Sequence, residues 1–124
     1  MTVVNYFDVN KYFNLGDIAY ACAYEYTHDK NGKSKHQKPV KGMFTAGDTE
    51  AKNNEYISKG QTNIRYFVPF KKNGVDLSWS KAVTIYARCY ATTQQECIAL
   101  YNRLIQDSIE WHEQEIKKLE KDLL

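Results

Sequence analysis

The C-terminal stretch constrains the fold most, because residues 93–124 contain neither proline nor glycine. Thr93 and Glu96 have the spacing of a capping box, which marks the start of a helix. The apolar residues beyond them recur at the three- and four-residue spacing of an α-helix, and they are Ile98, Ile105, Ile109, Ile116, Leu119 and Leu123. The sequence therefore predicts one long helix that begins near Thr93 and runs beyond about 25 residues.

This helix has two halves of different character. The first half also carries Leu100, Tyr101, Leu104 and Trp111, which widen the apolar face so that it suits packing on a sheet. The second half narrows to a coiled-coil seam. In the heptad with Ile109 at position a, the a residues are Asn102, Ile109, Ile116 and Leu123, and the d residues are Ile98, Ile105, His112 and Leu119.

A narrow seam without a partner in its own chain predicts self-association. An asparagine at one a position favours a paired register and a dimer, so Asn102, Ile109, His112, Ile116, Leu119 and Leu123 are the expected homodimer contacts. The alternative is that the helix folds back on its own body.

Turn signals divide the first ninety residues into strands. Asn31-Gly32 and Asn73-Gly74 are typical of tight hairpins. The expected strands cover residues 17–27, 39–45, 63–70 and 82–90, and Pro69 marks a strand end or an edge. The predicted fold class is α+β: a small antiparallel sheet or partly open barrel of four or five strands, followed by one long helix. Residues 1–92 form the β-rich body, residues 45–63 a long loop with at most a short helical turn, and residues 93–124 a helix packed on that body.

The first expected strand alternates strictly between two kinds of side chain. Ile18, Cys22 and tyrosines 20, 24 and 26 fall on one side, and mostly alanines fall on the other. Because larger side chains fill cores, we expect the tyrosine side to face the core and the alanine side to face a close-packed helix or solvent.

Composition narrows the class of protein. A chain of 124 residues has the size of one domain. Its aromatic content of 14% is high, whereas disordered chains are poor in aromatic residues, so we expect a folded protein. The N-terminus lacks the pattern of a signal peptide, and no apolar run is long enough for a membrane helix. We therefore expect a soluble cytoplasmic protein without membrane contact. Residues 1–92 carry a charge balance of +5, whereas residues 93–124 carry −3.

The sequence contains no recognisable catalytic or metal-binding motif. The three histidines have no nucleophile at a catalytic spacing, and there is no phosphate-binding loop. Cys22, Cys89 and Cys97 lack metal-ligand spacing, so we expect buried reduced thiols, although a Cys89–Cys97 disulfide stays open. The expectation is a protein that is not an enzyme and has no catalytic residues, metal site or cofactor.

Basic residues concentrate around the first hairpin. Five lysines follow one another closely and could neutralise phosphates or simply keep a loop soluble, namely Lys30, Lys33, Lys35, Lys38 and Lys41. The residues expected to form an exposed aromatic-basic surface are Arg65, Tyr66, Tyr86, Arg88 and Tyr90. The five lysines and the first four of these residues are the candidate contacts for a protein partner or, alternatively, for nucleic acid.

Four segments spread over residues 15–124 give the chain a recognisable layout, namely "LGDIAY", "KPVKGMF", "YARCYATTQQEC" and "IKKLEKDLL". This layout resembles that of small bacteriophage accessory proteins. The resemblance implies a five-stranded Src-homology-type β-barrel followed by a coiled-coil helix, although the long segment 45–63 departs from that pattern. It further implies a viral binding protein in the host cytoplasm that acts by protein–protein interaction, such as inhibition of a host factor or defence system.

Overall fold

The computed structural model describes residues 1–3, 6–28, 34–71 and 76–124. The strands are β1 (Thr2–Val3), β2 (Ile18–His28), β3 (Ser34–Thr45), β4 (Tyr66–Pro69), β5 (Val83–Thr84) and β6 (Cys89–Ala91). The α-helices are α1 (Val9–Tyr12), α2 (Glu50–Ser58) and α3 (Gln94–Glu120). An antiparallel sheet followed by a 27-residue helix confirms the predicted α+β class.

The strands form one open sheet in the order β1-β6-β2-β3-β4-β5. The expected strand over residues 82–90 is wrong in detail, because a 3₁₀ turn at Ile85–Ala87 separates β5 from β6. β5 pairs with β4, whereas β6 pairs with β1 and β2. Since one stretch of chain serves two distant positions in the sheet, it has to bend between them.

A helix replaces the loop expected over residues 45–63. α2 is nine residues long, and the Thr49 hydroxyl caps it by accepting the Lys52 N–H at 3.2 Å. The buried Asn53 side chain accepts the Ala46 N–H at 2.8 Å and ties the helix to the end of β3. α2 has no apolar stripe, so its sequence lacks the period by which α3 is recognised.

The larger core lies on the alanine side of β2. Phe44 is at its centre, with ring centroids 4.7 Å from Phe13, 5.5 Å from Phe67 and 5.0 Å from Tyr90. Ala19 and Ala21 of β2 pack in this cluster and are fully buried. The expectation that the tyrosine side of β2 faces the main core is therefore wrong.

The tyrosine side of β2 lies under α3 in a second, smaller core. Cys22, Ala91, Cys97, Leu100 and Tyr101 are buried there, with Tyr20, Cys89, Leu104 and Ile105 half-buried around them. The sheet thus has apolar clusters on both faces. The small alanine side chains of β2 leave room on their face of the sheet for the bulky rings that come from other parts of the chain. All three cysteines are free thiols.

The start of α3 confirms the predicted helix boundary. The Thr93 hydroxyl accepts the Glu96 N–H at 3.2 Å and donates to Glu96 Oε1 at 2.9 Å. Hydrogen bonds from the Met1 amino group, Thr93 and Thr92 hold the pKa of Glu96 below its ordinary value. The lowered pKa means that ionised Glu96 stabilises the folded protein. This stabilisation is fully present above the pKa of Glu96 in the unfolded chain, and it is lost as the pH falls through the pKa of Glu96 in the folded protein.

We expect Thr93→Ala to lower the free energy of unfolding by about 0.5–2 kcal/mol at pH 7. The loss should shrink as the pH falls through the lowered pKa of folded Glu96, because protonation removes the carboxylate that Thr93 contacts. Urea unfolding at several pH values measures it, with the exposed Thr62→Ala as the control. Equal effects of the two substitutions would contradict the capping role.

Candidate interaction surfaces

The basic turn is only partly described by the structure. Lys30 and Lys33 lie outside the described residues, and so does the side chain of Lys35. Lys38 and Lys41 are exposed on β3, and Lys41 Nζ lies 5.9 Å from the centroid of the Phe70 ring. The two lysine side chains that can be placed therefore project from a strand.

The predicted aromatic-basic surface divides between two cavities. Arg65 and the exposed Tyr86 line a cavity of about 340 Å³, and the Arg65 guanidinium lies 5.8 Å from the Tyr56 ring. Tyr66 is half-buried in β4 opposite Thr84. Arg88 lines a different cavity and Tyr90 is fully buried, so the structure brings only Arg65 and Tyr86 of this group into one cavity.

The cavity at Arg88 measures about 580 Å³ and is here called the cationic cleft. Its apolar lining residues, here called its floor, are Val40, Phe67, Pro69, Phe70 and Val83. Its polar lining residues, here called its rim, are Gln37, Lys71, Ser78, Lys81 and Arg88.

Lys71 and Lys81 were not among the sequence candidates, because neither lies in a basic cluster of the first hairpin. The only signal is their position on either side of the second hairpin. The Lys71 N–H donates to the Asp76 carbonyl at 2.8 Å, and the Ser78 N–H donates to the Pro69 carbonyl at 2.7 Å. This pairing brings the two segments together.

The second half of α3 presents its seam to solvent. Ile109, Ile116, Leu119 and Leu123, here called the α3 stripe, are 44%, 54%, 67% and 79% exposed. The first three lie on α3 itself, whereas Leu123 follows the turn that comes after the helix ends at Glu120. Of the remaining seam residues, Ile98 and Asn102 are exposed, His112 is half-buried and Ile105 packs in the smaller core. The structure thus places the first half of α3 on the sheet and leaves the stripe uncovered by the described residues.

Carboxylates flank the α3 stripe. The e and g positions of the same heptad, which border a coiled-coil seam, are Glu113, Glu115, Glu120 and Asp122. The lysines of this half, Lys117, Lys118 and Lys121, fall at outer positions. Lys118 Nζ reaches Glu115 Oε1 at 3.1 Å, but an exposed pair of this kind contributes little. The stripe is therefore an apolar strip between two acidic rows.

The described part of the chain contains neither a candidate membrane span nor a candidate metal site. None of its helices combines the length and the apolar character that crossing a membrane requires. No group of three or more histidine, cysteine, aspartate or glutamate side chains there could hold a metal ion.

Comparisons with protein-family models, curated proteins and solved structures find no significant match to this chain.

Proposed function

We propose that this chain is a non-enzymatic binding protein that acts through protein–protein contact, with the α3 stripe as its docking surface. The observation that supports this most is the exposure of Ile109, Ile116 and Leu119 on a helix whose first half is already packed. Burying one such side chain stabilises a complex by about 1.5–3 kcal/mol, so a stripe of four provides enough apolar area for a partner helix.

The partner proposed is an amphipathic helix with lysine or arginine beside its apolar seam. Interhelical ion pairs between e and g positions set partner choice in coiled coils. The acidic residues at Glu113, Glu115, Glu120 and Asp122 would pair with such cations. The resemblance to bacteriophage accessory proteins supports a host protein as the source of this helix.

A second copy of the chain is the competing occupant. Homodimerisation stays a prediction, with Asn102, His112 and the α3 stripe as its contacts. A parallel pair would set Glu115 of one copy beside Glu120 of the other, and like charges so placed are unfavourable. Self-association should therefore strengthen with added salt, whereas binding of a basic helix should weaken. Sedimentation over a salt series distinguishes the two.

The test uses two synthetic helical peptides with the same leucine and isoleucine seam. One carries lysine at every e and g position and the other carries glutamate. We expect the lysine peptide to bind and the glutamate peptide to bind at least about tenfold more weakly, because its charges repel the acidic rows. Fluorescence anisotropy of labelled peptide measures both affinities.

Paired substitutions locate the contact. Ile116→Asp should weaken binding of the lysine peptide by about tenfold or more, since it places a charge in the seam. Ile57→Asp is the matched control, because Ile57 is 48% exposed on α2 and Ile116 is 54% exposed on α3. Equal affinity for the two peptides, or equal effects of the two substitutions, would contradict the proposal.

Nucleic-acid binding, the alternative drawn from the sequence, uses the basic side of the body. It is favoured by the exposure of Lys38 and Lys41 on β3. The affinity of an oligonucleotide bound through these lysines should fall steeply with added salt. The Ile116→Asp variant should bind the oligonucleotide with the same affinity as the parent chain. Lys38→Gln and Lys41→Gln together should then weaken it.

A further inference from the structure

The cationic cleft has an apolar floor, which the fold leaves incompletely covered, and a positively charged rim. Val40 and Val83 pack against the main core yet stay half-buried, next to the fully buried Phe67. The cleft is thus the open end of that core. Apolar surface at such a place is favourable to remove from water.

The rim carries positive charge on a fixed backbone. The Lys71 and Lys81 N–H groups donate to the carbonyls of Asp76 and Ser78 at 2.8 and 2.9 Å. Within the described residues, neither lysine forms an ion pair and no carboxylate lines the cleft. Arg88 Nη2 donates to Gln37 Oε1 at 3.5 Å, and the half-buried Arg88 side chain lines the same cleft.

From this arrangement we propose that the cationic cleft binds a small organic anion with a flat apolar body and a phosphate, sulfonate or carboxylate head. The cavity of about 580 Å³ has the size of small-molecule sites. The body would lie on the floor beside the Phe70 ring, and Lys71 and Lys81 would contact the head. The site is separate from the α3 stripe and does not depend on the function proposed for it.

The probe for this class is 1-anilinonaphthalene-8-sulfonate, and its control is N-phenyl-1-naphthylamine, which has the same rings without the sulfonate. We expect one-to-one binding of the sulfonate, detected as a rise in fluorescence, and at least about tenfold weaker binding of the uncharged compound. Lys71→Gln together with Lys81→Gln should weaken the sulfonate about tenfold. The control is Lys117→Gln together with Lys121→Gln, at the C-terminal end of α3, where neither residue lines the cleft. This control should leave the affinity for the sulfonate unchanged.

Equal affinity for the two compounds, no binding of the sulfonate, or equal effects of the two lysine pairs would overturn the proposal. Ile116→Asp should bind the sulfonate as the parent chain does, so failure here is distinct from failure at the α3 stripe. A single-stranded oligonucleotide that displaces the probe at far lower nucleotide concentration than adenosine monophosphate would also overturn it in favour of an extended nucleic-acid surface. Comparable displacement by the two would support the small-anion site.

Discussion

Replacing Phe44 by alanine is expected to lower the free energy of unfolding by about 3–5 kcal/mol. Phe44 is fully buried, and its ring packs against Phe13, Phe67 and Tyr90, which come from three other parts of the chain. Removing the ring loses its transfer free energy, leaves a cavity and breaks three aromatic contacts. Urea unfolding followed by circular dichroism measures the loss.

Phe7→Ala is the matched control for this substitution. Phe7 is 67% exposed, so its removal should change the free energy of unfolding by no more than about 0.5 kcal/mol. Phe44→Leu keeps an apolar side chain and should be less destabilising than Phe44→Ala, which preserves the comparison if the alanine variant does not fold. A loss at Phe44 no larger than that at Phe7 would show that the main core is placed incorrectly.

The thiols of Cys22 and Cys97 should be strongly protected in the folded protein. Both are fully buried between the sheet and α3. A hydrogen bond with Cys22 lowers the pKa of the Cys97 thiol, so protection at that site reflects lack of access and not weak acidity. We expect Ellman's reagent to modify Cys97 at least about a thousandfold more slowly than in the urea-unfolded chain, because access requires α3 to leave the sheet.

Two leucines of α3 provide the comparison for this protection. Leu104 is half-buried in the smaller core, so Leu104→Ala should ease opening and raise the Cys97 rate by about tenfold or more. Leu119 is 67% exposed, and Leu119→Ala should leave the rate unchanged. Mass spectrometry assigns the modified cysteine. Rapid modification of Cys97 in the parent chain would mean that α3 does not cover the sheet.

The long helix was predictable because its information is local. Thr93 and Glu96 give the start, and the apolar period gives the extent, whatever the rest of the chain does. α2 escaped prediction for the opposite reason, since it is held by the Thr49 cap and the buried Asn53 side chain instead of an apolar stripe. The two sides of β2 could not be ranked from β2 alone, because the rings that fill the alanine side come from β3, β4, β6 and the residue after α1.

The α3 stripe and the cationic cleft likewise differ in how far the sequence predicts them. The α3 stripe follows from heptad spacing, and the structure adds that it is uncovered by the described residues. The cationic cleft combines Gln37, Lys71 and Arg88, which lie far apart in sequence and meet only through the pairing of β3 with β4 and the bend before β6. No local pattern contains that arrangement.

Methyl spectra of isoleucine-labelled protein, titrated with the lysine peptide, test the docking surface most directly. The methyl signals of Ile109 and Ile116 are expected to shift on binding, since both lie on the exposed stripe. The signals of Ile18, Ile57, Ile64 and Ile85, which lie on the body, are expected to stay in place. Shifts confined to the body isoleucines, with Ile109 and Ile116 unchanged at saturation, would contradict the account.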